Sequence, residues 1–169
     1  MGAAKDLDEQ KEHLIERLGV YMESQEQLAP LAARIFATLI LTGRKGITFE
    51  ELVTSLNASK STICTHLNTL QANGKAGYFT KPGDRKRYFI VHPNNLVQVM
   101  DEMLKNWKIQ REIHEDILSY KEAANKELPK KEDKFDLEFH REYLDFIHFA
   151  GENIKKLKEK IINKHLQDE

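Results

Sequence analysis

Between Ser59 and Asn73 the sequence places Ser61, Thr62, Thr65, Asn68 and Thr69 on one side of a helix turning about 100° per residue, with Ile63, Leu67 and Leu70 on the other. Short hydroxyl and amide groups of this kind suit recognition rather than catalysis. Laid in the major groove of a duplex, they can donate to and accept from base edges and phosphates. Ser59 and Lys60 at the start of the helix add a phosphate-favouring end, because the positive pole of the helix dipole lies there, and His66, beside Thr65 in the middle of the helix, is counted with the candidate base readers. A face that was merely solvated would ordinarily carry Glu, Lys and Arg, and only Lys60 occurs between Ser59 and Gly74.

A second group lies just downstream, where Lys81 precedes the turn Pro82-Gly83-Asp84 and the run Arg85, Lys86 and Arg87 follows it. Three adjacent cations at a hairpin tip suit a phosphate backbone or a narrow minor groove. Asp84 is expected to brace one of the arginines, and period-two alternation puts Arg85 and Arg87 on one side and Lys86 on the other. Charged tips also keep sheet edges soluble, so the polar helix upstream is what favours the phosphate reading. Charge segregation agrees with it: residues 44–92 carry eight basic and three acidic side chains, a net of +5, whereas the rest carries 18 basic and 24 acidic, a net of −6. Attraction to phosphate depends on the charges near the contact rather than on the net −1 of the whole chain.

These groups need elements to position them. Leu7, Leu14, Leu18 and Tyr21 form a stripe that predicts an amphipathic helix over Leu7 to Gln27, and Pro30 opens a nearly apolar helix ending at Gly43, the expected spine of the core. Gly46-Ile47 reads as a short extended piece. Thr48 with Glu51 forms a capping box starting a third helix, and Ser59 caps a fourth that ends at Asn73-Gly74, so the pair makes a helix-turn-helix. Aromatic and β-branched runs over 75–81 and 87–91 predict a β-hairpin. After Pro93 a helix of nearly thirty residues runs to about Pro129. A last helix, Asp136 to Leu166, carries Phe139, Tyr143, Phe146, Ala150, Ile154, Leu157 and Ile161 at coiled-coil spacing. At ~45 Å this stripe outruns a winged domain of some 25 to 30 Å, so it calls for a second chain. The fold class expected is mainly α with a small β-hairpin wing, a winged helix-turn-helix flanked by long dimerisation helices. Residues 1–28 form the N-terminal dimerisation helix, 29–92 the DNA-binding domain and 93–169 the C-terminal dimerisation region.

Composition narrows the function classes. The 169 residues are 40% hydrophobic and 31% charged, against a typical ~25%, with no apolar run near the ~20 residues that span a bilayer. Met1 to Asp6 lacks the hydrophobic core of a signal peptide and the Ser or Thr of a myristoylation signal, so a cytoplasmic protein without membrane contact is expected. The single cysteine, Cys64, about 80° from the centre of the apolar face, is expected to be half-buried packing rather than a redox sensor. His114, His140, His148 and His165 show no metal-binding spacing, and no nucleophile elbow, phosphate-binding loop or zinc-protease motif occurs. We therefore expect no enzyme, metal or cofactor. Trp107, Tyr143 and Phe146 are the residues that could line a small-molecule effector pocket, although aromatic stripes at helical spacing are core in most proteins.

The segments Pro30-Leu-Ala-Ala-Arg-Ile, Ile47-Thr-Phe-Glu-Glu-Leu, Ser59-Lys-Ser-Thr-Ile and Gly83-Asp-Arg-Lys-Arg-Tyr-Phe resemble the winged helix-turn-helix of the GbsR branch of the MarR-type bacterial transcriptional regulators. The resemblance is close over Leu28 to His92, while the flanking helices match in kind. It implies a homodimer held by the N- and C-terminal helices on a pseudo-palindromic double-stranded DNA operator, and a small-molecule site between the dimer layer and the DNA-binding domain. Where related helices often carry Arg or another strong base reader, this sequence has Thr65 and His66. A repressor is expected before an activator, since occluding an operator requires no further contact. The alternative is a winged-helix module for protein-protein assembly, its basic wing meeting an acidic partner.

Overall fold

A proline in the first turn, a largely apolar sequence and a glycine C-cap at φ +66° produce the central helix α2 (Pro30–Thr42). A computed structural model describes residues 2–167, with side chains from 6 to 164, so Met1 and the side chain of His165 lie outside the described residues. Helix α1 (Gly2–Glu26) precedes α2. A 3-10 turn (Gly43–Lys45), β1 (Ile47–Thr48), α3 (Phe49–Ser55), α4 (Lys60–Ala72), β2 (Ala76–Thr80) and β3 (Arg87–Val91) follow it, then α5 (Asn95–Glu127), a 3-10 turn (Lys131–Asp133) and α6 (Glu138–Gln167). The chain divides between Asn95 and Leu96 into two compact units.

In the first unit α2 is buried on most sides, as a nearly all-apolar helix must be: Ile35 and Leu39 pack in one cluster with Leu52 of α3, Ile63, Leu67 and Leu70 of α4, and Phe89 of β3. Each such side chain contributes about 1.5–3 kcal/mol of transfer free energy, which sets the α3–α4 pair against α2. The capping box starting α3 is present, with the Glu51 amide donating to Thr48 Oγ1 at 3.3 Å and the Thr48 amide donating to Glu51 Oε2 at 2.8 Å. The Thr48 amide and hydroxyl hold the Glu51 carboxyl below the usual carboxylate range.

The extended piece at Ile47 is a true strand. Ile47 pairs with Phe89 and Thr48 with Tyr88, which makes a three-stranded antiparallel sheet in the order β1-β3-β2 rather than a lone hairpin. Gly46 permits the join: its φ is +69°, and a Cβ there would meet the Tyr88 Cβ at 2.9 Å.

Helix α1 docks on α2 through Met22 and Leu18, and Arg34 of α2 clamps it by donating to Glu16 at 3.0 Å and to Glu23 at 2.5 Å. The stripe read from the sequence therefore splits. Leu18 turns inward beside Met22, while Leu7, Leu14 and Tyr21 stay exposed, because α1 packs chiefly on α2, with Glu26 also paired to Lys75, and buries only the arc that Leu18 and Met22 share.

In the second unit α5 and α6 run antiparallel, tied by Lys158 to Asp101 at 2.5 Å, Tyr143 to Gln110 at 3.0 Å and Arg141 to Glu122 at 2.8 Å. Asn125 closes the connection, its amide donating to the Phe135 carbonyl and accepting from the Phe135 amide. The seam of α6 also splits. His140 and Ile147 are buried, Tyr143, Ala150, Ile154 and Ile161 are half-buried, and Phe139, Phe146 and Leu157 remain exposed. The stripe is wider than the face one neighbouring helix can cover. No helix among the described residues is long and apolar enough to cross a membrane.

Candidate nucleic-acid interface

Ser59 caps α4 by accepting the Thr62 amide at 3.2 Å, and its Oγ lies 3.0 Å from Ser61 Oγ and 2.7 Å from Thr62 Oγ1. Further along, Thr65 Oγ1 donates to the Ser61 carbonyl at 3.0 Å and Thr69 Oγ1 to the Thr65 carbonyl at 3.1 Å. Because Ile63, Leu67 and Leu70 turn into the core, the opposite face is presented outward: Ser59, Lys60, Ser61, Thr62, Thr65, Asn68 and Thr69 are exposed and His66 is half-buried. All the helix residues singled out from the sequence thus occupy one continuous stretch of surface except His66, which stands at its margin.

The wing is built by the sheet. A type II turn, with Pro82 second, Gly83 third at φ +77° and the Asp84 amide donating to the Lys81 carbonyl at 3.0 Å, leads from β2 towards β3. Asp84 does not brace an arginine. It accepts from the Tyr88 hydroxyl at 2.7 Å and from the Lys86 amide at 2.9 Å, since residues 85 and 86 curl back over it before β3 begins at Arg87. The Tyr88 hydroxyl first, then the Lys86 amide and the Lys86 and Lys81 charges, hold the Asp84 carboxyl below its ordinary value, and the same hydrogen bond pushes the Tyr88 phenol up. The expected alternation fails for the same reason: Arg85 and Lys86 lie outside the strand, and both line one cleft together with Arg87.

Aromatic faces position two of the cations, with Lys81 Nζ 3.7 Å from the Tyr88 ring centroid and the Arg87 guanidinium 4.5 Å from that of Tyr78. Tyr78 and Tyr88 as supports, and Gln71 as a lining residue, were not singled out from the sequence. Alternation of aromatic and basic residues across the hairpin was the signal for the first two.

The cleft joins the two groups. It holds about 480 Å³ and is lined on the α4 side by Cys64, Leu67, Asn68 and Gln71 and on the wing side by Arg85, Lys86 and Arg87. Cys64 is exposed here rather than half-buried, because α4 packs through the narrow arc of Ile63, Leu67 and Leu70 and the wing leaves its flank open. Chemically, the cleft offers the Asn68 and Gln71 amides beside three cations, with acidic Glu50 also on its wall, a combination suited to a polyanion with hydrogen-bonding edges.

Within the second unit, Trp107 lines a separate groove of about 400 Å³ with Leu104, Lys108, Ile147 and Gly151. Tyr143 and Phe146 are not among its lining residues: the Tyr143 ring lies 4.4 Å from that of His114, and exposed Phe146 stacks on Tyr143 at 6.2 Å. His114 and His140 meet Nδ1 to Nδ1 at 2.9 Å, so one ring donates to the other, and burial holds the His140 pKa below its ordinary value. Among the described residues no group of three or more His, Cys, Asp or Glu is placed to hold a metal ion.

A helix-turn-helix against a central helix, followed by a basic hairpin on a small sheet, defines a winged helix-turn-helix. No protein-family model matches the chain. It is 35% identical over 94 residues to the HTH-type transcriptional regulator MmpR5 of Mycobacterium tuberculosis, an alignment covering 56% of this chain and 54% of that one. The chain thus spans about half the length of this curated relative. A crystal structure of a transcriptional regulator superposes with a TM-score of 0.52 at 23% identity, over 91% of this chain and 99% of that one, and shares the fold. A mutant of S. aureus MepR aligns at 13% identity with a TM-score of 0.40, over 64% and 80% of the two chains.

Proposed function

We propose that this chain is a sequence-specific double-stranded DNA-binding transcriptional regulator of the MarR type, in its GbsR branch, acting as a homodimer on an inverted-repeat operator and repressing by occlusion. The observation that carries the reading is the cleft in which Asn68 and Gln71 of α4 face Arg85, Lys86 and Arg87 of the wing. On it, α4 enters the major groove, with Ser61, Thr62, Thr65, Asn68 and Thr69 towards base edges and His66 at the flank, and Ser59 and Lys60 meet phosphate. Lys81, Arg85, Lys86 and Arg87 follow the backbone or the adjacent minor groove. The relative named as a transcriptional regulator supports the same reading.

The exposed apolar positions Leu7, Leu14 and Tyr21 on α1, and Phe139, Phe146 and Leu157 on α6, support a second copy as partner. Two-fold symmetry then sets two copies of α4 about 34 Å apart, one turn of duplex. Control by a small-molecule effector is the part of the proposal supported by the family resemblance alone.

Selecting bound fragments from a random or genomic duplex pool tests the reading. Enrichment of an inverted repeat, bound with a steep salt dependence, is the expected outcome. A pool that stays unenriched, together with salt-dependent capture of an acidic protein, would replace it with the assembly-module reading.

A further inference from the structure

The hydrogen bonds along α4 constrain which bases it can read. Thr65 and Thr69 each spend their one hydroxyl proton on a carbonyl of their own helix, at 3.0 and 3.1 Å, and Ser59, Ser61 and Thr62 share theirs in a cluster at the helix start. What Thr65 and Thr69 keep for a ligand is therefore an acceptor oxygen and a methyl group, not a donor. Asn68, exposed between them, has an amide able to donate and accept at once, and its NH2 makes only a long contact to Cys64 Sγ at 3.7 Å. Beyond Lys60 in the first turn, α4 has no Arg or Lys.

Guanine presents two acceptors in the major groove, N7 and O6, and is read by paired donors, chiefly from Arg or Lys. Opposite the middle of α4, those paired acceptors would lose water and meet the single Asn68 NH2 between spent hydroxyls and methyl groups, which leaves an acceptor unpaired and is costly. Adenine instead offers an N6 donor and an N7 acceptor that match an amide bidentately, and thymine offers a C5 methyl for apolar contact. Resting on the DNA-binding reading above, we infer that the base pairs under Thr65, Asn68 and Thr69 are A·T pairs. Thr65 and Thr69 read thymine through its methyl group, and Asn68 reads adenine.

The test uses the full-length protein and the duplex recovered by selection, with base analogues that each remove one group. Replacing thymine by deoxyuridine in the central half-site removes the C5 methyl and should weaken binding several-fold. Replacing adenine by 7-deazaadenine removes N7, and exchanging A·T for G·C should cost about tenfold or more. The deoxyuridine penalty should persist in Thr65→Val, which keeps a methyl group, and shrink in Thr65→Ser, which removes it. Both substitutions are at an exposed position and leave the core untouched. Guanines in the central half-site, sensitive to 7-deazaguanine while deoxyuridine costs nothing, would overturn this inference and leave the DNA-binding reading standing. Equal affinity for selected and random duplex would overturn the DNA-binding reading itself, and the base assignment with it.

Discussion

At the scale of single residues, the proposed interface divides into groups that supply affinity and groups that supply information. Arg85 and Arg87 carry charge at a tip with no base-reading geometry of its own, so Arg85→Ala with Arg87→Ala should weaken selected and random duplexes alike. The slope of log K against log salt should flatten by about 0.9 for each phosphate that the wing no longer neutralises. Anisotropy titrations at three salt concentrations would show it, and an unchanged slope would remove the wing from the mechanism. Thr62→Ala and His66→Ala should instead shift sequence preference more than bulk affinity. Asp84 holds the wing through the Tyr88 hydroxyl and the Lys86 amide, and its carboxyl is held below the ordinary range. With a folded-state pKa below the unfolded one, its contribution to wing stability is complete above the ordinary carboxylate value and disappears as pH falls through the lowered folded value. In Tyr88→Phe the Asp84 titration, followed by carbon NMR of its carboxyl, should move back towards the ordinary range. A curve unchanged from wild type would contradict the brace.

At the scale of elements, caps and one glycine fix where the readers sit. Thr48→Ala removes the capping box of α3 and should cost about 1 kcal/mol in urea unfolding, while Leu39→Ala, which opens a cavity beside a fully buried side chain, should cost roughly 2–5 kcal/mol. Indifference of stability to Thr48→Ala would mean that water replaces the cap. Much of this level was legible in the sequence because it is local: the Thr48 and Glu51 box, the Ser59 cap, the Pro82-Gly83 turn and the apolar arc of Ile63, Leu67 and Leu70 all lie within a few residues of what they determine. The rest depends on partners distant in sequence. β1 is two residues long and exists only because Ile47 and Thr48 meet Phe89 and Tyr88, some forty residues away. Likewise a helical wheel gives the angle of Cys64 but not how wide an arc of α4 the core will cover, and Asp84 found Tyr88 because the chain curls before β3 in a way that strand periodicity does not encode.

At the scale of the whole molecule, the proposal needs two copies. Phe146 and Leu157 are exposed on α6, so Phe146→Glu with Leu157→Glu should leave the fold intact, by circular dichroism, and yield monomers in sedimentation that lose operator affinity while keeping weak binding to random duplex. The central claim is that α4 and the wing together read duplex DNA as a symmetric pair. It is tested most directly by titrating one selected inverted-repeat duplex with the protein and measuring affinity and stoichiometry together, by anisotropy and sedimentation, beside a scrambled duplex of the same length. Two chains per duplex are expected, with a preference for the selected site of at least about a thousandfold and a steep fall in affinity with salt for both duplexes. One chain per duplex, or equal affinity for the two sequences, would contradict it.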